Sequence, residues 1–118
     1  MIKERLLDLP NEIENKKTTL LSMQTHLRNE KEKLQMWELT ELASISSEVD
    51  GNGKAKYSND TKRKAELQRR IDISEEYAGI EELVKKLEGK VDILNIQLEK
   101  LLNEQGNLRA ICRLEGRE

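Results

Sequence analysis

Basic side chains that can bind an anion are concentrated between residues 50 and 72. This stretch holds seven basic and four acidic residues, a net charge of +3, whereas the whole chain carries −2. Ammonium groups, guanidinium forks and the free amides at a helix start all favour an oxyanion. The residues predicted to bind a partner or a phosphate are Lys54, Lys56, Tyr57, Asn59, Lys62, Arg63, Lys64, Arg69 and Arg70.

The same stretch has a structural interpretation, because exposed helix starts commonly carry charge. Asp60, Glu66 and Asp72 lie close to the basic residues in sequence and are suitable ion-pair partners for them. The sequence leaves both interpretations open.

Residue types that support catalysis or metal binding are sparse elsewhere. His26 is the only histidine, and no cysteine or carboxylate pattern surrounds it. Residues 51–54, Gly-Asn-Gly-Lys, lack the full spacing of a phosphate-binding loop. The single cysteine, Cys112, excludes an internal disulfide and is expected to act as a small hydrophobe. We therefore expect no enzymatic activity, no metal site and no cofactor.

Apolar residues recur every three or four positions through the last third of the chain, without a proline. The resulting C-terminal seam consists of Ile80, Val84, Leu87, Val91, Leu94, Leu98, Leu101, Gln105, Leu108 and Cys112. This heptad pattern predicts a long helix that needs a partner helix along its seam. The residues predicted to hold an oligomer together are Val84, Leu87, Val91, Leu94, Leu98, Leu101 and Leu108.

The N-terminal third has a weaker seven-residue pattern. Leu6, Ile13, Leu20, Leu27 and Leu34 repeat at this interval, with Leu9, Met23 and Trp37 at companion positions. Lys16 and Glu30 interrupt the companion row. Pro10 favours the first turn of a helix, so helix one is expected to run from about residue 11 to 48, after a separate short turn over residues 2–8.

The glycines, aspartate and asparagine after Val49 predict a turn over residues 49–58. Helix two is expected from about 59 to 114, with Ser58 or Asn59 as its N-cap. A short loop makes two long helices antiparallel neighbours. The predicted fold is all-α, a single domain over residues 1–118 that forms an antiparallel helical hairpin, or coiled coil.

Two helices bury only a narrow stripe, and the chain has no Phe, one Trp and two Tyr with which to fill a thicker core. Further apolar residues lie outside the seam: Leu7, Leu21, Met36, Leu39, Leu83, Ile96, Leu102 and Ile111. A dimer that forms a four-helix bundle buries these side chains as well. We expect this homodimer, with a monomeric hairpin and a hetero-complex as alternatives.

The charge distribution argues against membrane association. The first residues carry charges where a secretory signal needs an apolar run, and no stretch approaches the roughly 20 apolar residues of a membrane span. We expect a cytoplasmic protein without membrane contact.

Residues 58–67, Ser-Asn-Asp-Thr-Lys-Arg-Lys-Ala-Glu-Leu, contain an N-[DE]-x-x-R-x-A-x-L pattern carried by Asn59, Arg63, Ala65 and Leu67. With Tyr77 and the long heptad helix that follows, residues 50–114 resemble small helical-hairpin proteins encoded by bacteriophages and prophages, often beside recombination genes. The resemblance implies a phage-borne accessory protein without enzymatic activity. It further implies a DNA, recombination-protein, host-defence or nuclease target in the host cytoplasm.

Three functions follow as expectations. The first is a coiled-coil adaptor or inhibitor that self-associates and binds a protein partner through its seam and basic turn. The second is a nucleic-acid-binding accessory factor whose basic turn contacts phosphates, which strong salt dependence would reveal. The third is a structural spacer or assembly chaperone that binds partner helices through the C-terminal end of its seam.

Overall fold

The structure is a computed structural model that describes residues 1–116 and is helical over most of them. The helices are α1 (Ile2–Ser47), α2 (Asp60–Ile73) and α3 (Glu75–Glu115). No strand occurs among residues 1–116, where one isolated antiparallel bridge joins Val49 and Ala55. The prediction of an all-α fold is confirmed.

Helix α1 begins at Ile2 and continues through Pro10. The predicted start at residue 11, after a separate turn over residues 2–8, is therefore wrong. Proline removes a backbone donor and costs about 3 kcal/mol in a helix interior. Packing offsets this cost, because Leu9 is 0% exposed and the Arg5 guanidinium is held by Glu104 of α3.

The predicted second helix, residues 59–114, is divided into α2 and α3 by Ser74. The Ser74 N–H donates to the Ile71 carbonyl at 3.2 Å and closes the end of α2. The Ser74 Oγ accepts a hydrogen bond from the Tyr77 N–H at 3.0 Å and caps the start of α3. A serine followed by two glutamates is a helix-start signal, which the continuous apolar periodicity obscured.

The turn predicted over residues 49–58 is present between α1 and α2. The Asp50 carboxylate accepts hydrogen bonds from the N–H groups of Asn52 at 2.8 Å and Lys54 at 3.1 Å. Gly53 has φ +80°, which a side chain would disfavour. The Lys56 N–H then donates to the Glu48 carbonyl at 3.0 Å, which returns the chain toward α2.

The chain divides into two compact units. Unit 1 comprises residues 1–26 and the chain from residue 87 onward, and unit 2 comprises residues 27–86. In unit 1, α1 and α3 are antiparallel, because Arg5 bonds to Glu104 and Lys16 bonds to Gln97. The buried apolar residues of unit 1 are Leu9, Ile13, Leu20 and Leu87.

Unit 2 contains the aromatic contact of the fold. The rings of Trp37 on α1 and Tyr77 on α3 meet edge to face, with centroids 5.0 Å apart. The Tyr77 hydroxyl donates to the Glu38 carboxylate at 2.7 Å. The buried residues of unit 2 are Glu30, Ile45, Tyr77 and Val84.

Candidate binding surfaces

The predicted anion-binding stretch is organised by the start of α2. Asn59 has extended backbone, and its Oδ1 accepts a hydrogen bond from the Lys62 N–H at 2.9 Å. The prediction of an N-cap at Ser58 or Asn59 is confirmed for Asn59. This cap fixes Lys62, Arg63 and Lys64 in the first turn of α2.

Two of the predicted arginines are engaged within this stretch. The Arg63 Nε donates to the Tyr57 carbonyl at 3.2 Å, and Arg63 Nη1 lies 3.4 Å from the Asp60 carboxylate. Arg69 Nη2 bonds to Glu66 Oε1 at 2.7 Å. Some of the hydrogen-bond donors of these two guanidinium groups are therefore already bound within the chain.

Arg70 is bound to three carboxylates and joins α2 to α1. It contacts Glu66 at 2.9 Å, Glu41 at 3.1 Å and Glu48 at 2.7 Å, and its side chain is 18% exposed. The hydrogen bond that Arg70 donates to Glu48 is the main reason that the Arg70 pKa is raised. The hydrogen bonds from Arg69 and Arg70 lower the pKa of Glu66 to about 2. Arg70 therefore differs from its expected role, because an incoming phosphate would have to displace these carboxylates.

Four lysines of the stretch keep free ammonium groups. Lys54, Lys56, Lys62 and Lys64 are exposed, and none of the ion pairs in residues 1–116 involves them. The Lys56 Nζ lies 5.6 Å from the centroid of the Tyr57 ring, within the range of a cation–π contact.

Some of these residues line a cleft of about 460 Å³, here named the lysine cleft, formed by Lys56, Tyr57, Lys62, Ala65, Glu66 and Arg69. Its only carboxylate, Glu66, is already paired with two arginines. The cleft thus offers two free ammonium groups beside an aromatic ring. Lys54 and Lys64 are not part of its lining.

The C-terminal seam lies on the inward side of α3. Val84 and Leu87 are buried, and the other eight seam residues are half-buried. The seam pattern thus predicted the buried face correctly. The expected use of Val84 and Leu87 in oligomerisation fits poorly with this burial, because their surfaces are already covered within the chain.

Large apolar side chains outside the seam remain in contact with solvent. In unit 1 they are Leu7, Leu21, Ile93, Ile96, Leu102, Ile111 and Leu114. In unit 2 they are Met36, Leu39, Val49 and Ile73. Leu83, which was expected among them, is half-buried. Exposed apolar side chains are typical of interaction surfaces where they form a contiguous patch.

A polar contact between α1 and α3 escaped prediction from sequence. Arg5 makes a two-pronged contact with Glu104, at 2.9 and 2.7 Å, and also bonds to Glu12 at 2.8 Å. The hydrogen bond from Arg5 lowers the pKa of Glu104. Arg5 thus places the start of α1 beside Glu104 of α3, whereas Ile111 and Leu114 farther along α3 are exposed. No local signal indicates a contact between residues 99 positions apart.

The described residues contain no arrangement typical of a metal centre. Among residues 1–116, no group of three or more His, Cys, Asp or Glu side chains could hold a metal ion. His26 is exposed on α1, and Cys112 is a half-buried free thiol in the seam. Within the same part of the chain, no helix combines the length and the apolar character needed to cross a membrane.

Comparison of the chain with protein-family models, with curated proteins and with solved structures found no match.

Proposed function

We propose that this protein is a non-enzymatic helical-hairpin adaptor or inhibitor that binds an acidic surface of a protein partner with the lysine cleft. The composition of the cleft is the observation that carries this proposal. The ammonium groups of Lys56 and Lys62 form no ion pair with a described residue, and the one carboxylate of the lining, Glu66, is bound to two arginines. Tyr57 beside the two lysines provides an apolar surface with a polar edge. Aromatic residues next to free cations suit a partner with acidic and apolar side chains.

A protein partner is favoured over nucleic acid because the arginines are already engaged. Arginine is the residue that contacts phosphate in two-pronged fashion, yet Arg69 and Arg70 are bound to Glu66. A nucleic-acid strand presents a charge at every nucleotide and needs a longer row of free cations to bind tightly. The cleft itself supplies two.

Nucleic-acid binding is the second candidate function, and one observation supports it. Tyr57 lies next to Lys56 and Lys62 in the lining of the cleft. A base can stack on such a ring while the ammonium groups contact the adjoining phosphates. The third expected function, a spacer or chaperone that uses the end of the seam, has less support. Arg5 and the first turns of α1 cover α3 near Glu104.

We also propose that the protein forms a dimer with the helices of two copies in one bundle. The exposed apolar side chains of both units support this assembly. The resemblance carried by Asn59, Arg63, Ala65 and Leu67 supports a phage or prophage origin and a site of action in the host cytoplasm.

Charge reversal at the lysine cleft tests the main proposal. Lys56→Glu with Lys62→Glu is expected to abolish capture of the partner from a lysate of the native host, because the cleft changes from cationic to anionic. Lys3→Glu with Lys17→Glu is the matched control, since both lysines are exposed on α1 in unit 1. Equal capture by wild type and by the cleft variant would contradict the proposal.

A titration against labelled single- and double-stranded DNA at about 50 and 200 mM salt separates the two candidates. We expect no saturable binding at either salt concentration. Tight binding that weakens steeply with salt and is lost in the cleft variant would instead establish the nucleic-acid function.

A further inference from the structure

Two surface grooves carry the inference, and the first is an apolar groove between α1 and α3 of unit 1. On α3 it is lined by Lys90, Ile93, Leu94, Gln97, Lys100 and Leu101. These residues are spaced by one or three positions and therefore share one flank of the helix. Two hollows of about 440 and 240 Å³ lie along this flank, and Ile93 in the lining is 57% exposed.

The rim of this groove is positively charged. Lys90 and Lys100 are exposed, and no ion pair within residues 1–116 engages either of them. Lys16 bonds to the neutral amide of Gln97, which leaves its charge uncompensated. The one acidic residue in the lining, Glu12, is bound to Arg5. We name this surface the cationic groove.

The second feature is a groove of about 650 Å³ in unit 2. Its apolar floor is formed by Met36, Trp37 and Ile80, and Met36 is 61% exposed. The two carboxylates of Glu32 and Glu76 stand on its rim and are exposed.

Internal ion pairs remove the other charges of this rim. Lys33 is bound to Glu30 at 2.8 Å, and Glu41 is bound to Arg70 at 3.1 Å. Glu32 and Glu76 take part in no ion pair within the described residues, so the net charge available to a partner is negative. We name this surface the acidic groove.

We propose that these grooves are the two halves of a homodimer contact, in which the cationic groove of one copy packs against the acidic groove of a second copy. Each groove combines exposed apolar side chains with unpaired charges, and the unpaired charges of the two grooves have opposite sign. Packing the grooves together removes Ile93 and Met36 from water and pairs Lys90 and Lys100 with Glu32 and Glu76. In a closed two-fold dimer this contact is made twice.

Charge also selects between the ways in which two copies can meet. A cationic groove packed against another cationic groove brings lysines together, and two acidic grooves bring glutamates together. Like charges across an interface are strongly unfavourable. The mixed pairing is the arrangement that brings unpaired rim charges of opposite sign together. This inference gives the proposed self-association a surface, and it uses no residue of the lysine cleft.

The test is analytical ultracentrifugation of the full chain at about 50 mM salt. We expect wild type to sediment as a dimer, at twice the 13.7 kDa mass of one chain. Glu32→Lys with Glu76→Lys, and separately Lys90→Glu with Lys100→Glu, are each expected to raise the dimer dissociation constant about tenfold or more. A wild-type monomer, or a dimer unaffected by these reversals, would overturn the proposal.

The decisive variant carries all four substitutions. It exchanges the signs of the two rims, so the grooves are again complementary and the dimer is expected to return. An equimolar mixture of the two double variants is likewise expected to form a heterodimer. Because the fourfold variant contains every substitution of the weakened variants, its recovery excludes misfolding as the cause of their dissociation.

The remaining outcomes have defined meanings. A fourfold variant that is folded by circular dichroism but monomeric would refute the charge pairing. Assemblies that grow beyond two copies would refute the closed two-fold arrangement. Loss of the dimer with partner capture intact would leave the lysine-cleft proposal standing, because the cleft residues are unchanged.

Discussion

Arg70 connects α2 to α1 through side chains that are distant in sequence. Glu41 and Glu48 lie 29 and 22 positions before it, and Glu66 lies one turn before it on α2 itself. Helix α2 has no buried residue of its own. The position of α2 on α1 therefore depends heavily on this one guanidinium group.

Removal of Arg70 is expected to destabilise the protein. Arg70→Met leaves the partly buried carboxylates of Glu41 and Glu48 without a cation, whereas Glu66 keeps Arg69. We expect the free energy of unfolding to fall by about 1–3 kcal/mol. Arg69→Met is the control, because Glu66 then keeps its bond to Arg70. Urea unfolding followed by circular dichroism measures both changes. Equal losses in the two variants would contradict the role assigned to Arg70.

Ionisation of the Tyr77 hydroxyl is expected to lower the free energy of unfolding at alkaline pH. Its hydroxyl donates to Glu38, and this hydrogen bond, together with burial, raises its pKa from 10.0 to about 12. A folded-state pKa above the unfolded value means that the contribution to stability is complete below pH 10 and is lost as the pH rises toward 12.

Urea unfolding at several pH values between 9 and 12, with Tyr77→Phe as the control, measures this contribution. The difference in unfolding free energy between wild type and Tyr77→Phe is expected to shrink over that interval. A difference that stays constant would show that the hydrogen bond to Glu38 does not govern the titration of Tyr77.

At the scale of the helices, tertiary contacts decide where elements begin and end. The apolar seam predicted the inward face of α3 because that face obeys a period visible in sequence. The spacing of apolar residues does not indicate the break at Ser74. It also does not indicate that α1 continues through Pro10. The first depends on one hydroxyl, and the second depends on contacts with α3 that are remote in sequence.

Pro10 provides a sharp test of the observed start of α1. In a helix that begins at Ile2, Pro10 is an interior residue, so Pro10→Ala is expected to raise the free energy of unfolding by about 1–2 kcal/mol. In a helix that begins at residue 11, proline would stand at the favourable first turn, and the same substitution would lower stability. The sign of the change in urea unfolding therefore decides between the two starts.

At the scale of the whole molecule, the charge that matters for binding differs from the charge that composition reports. The net charge of −2 does not indicate that the surface contains two cationic sites, the lysine cleft and the cationic groove, and one acidic groove. The sequence predicted the basic stretch, since its residues are neighbours in the chain. The pairs of Arg63 with Asp60 and of Arg69 with Glu66 lie within α2, between residues that are close in sequence. The sequence could not predict the pairs of Arg70 with Glu41 and Glu48, because these join separate helices.

The contact between Trp37 and Tyr77 has a further consequence. The chain has one Trp, two Tyr and no Phe, and all three aromatic residues, Trp37, Tyr57 and Tyr77, belong to unit 2. Unit 1 is therefore spectroscopically silent in the near ultraviolet, and intrinsic tryptophan fluorescence follows unit 2 alone. Far-ultraviolet circular dichroism follows the helices of both units. The protein thus carries a natural reporter for whether its two units melt together or one after the other.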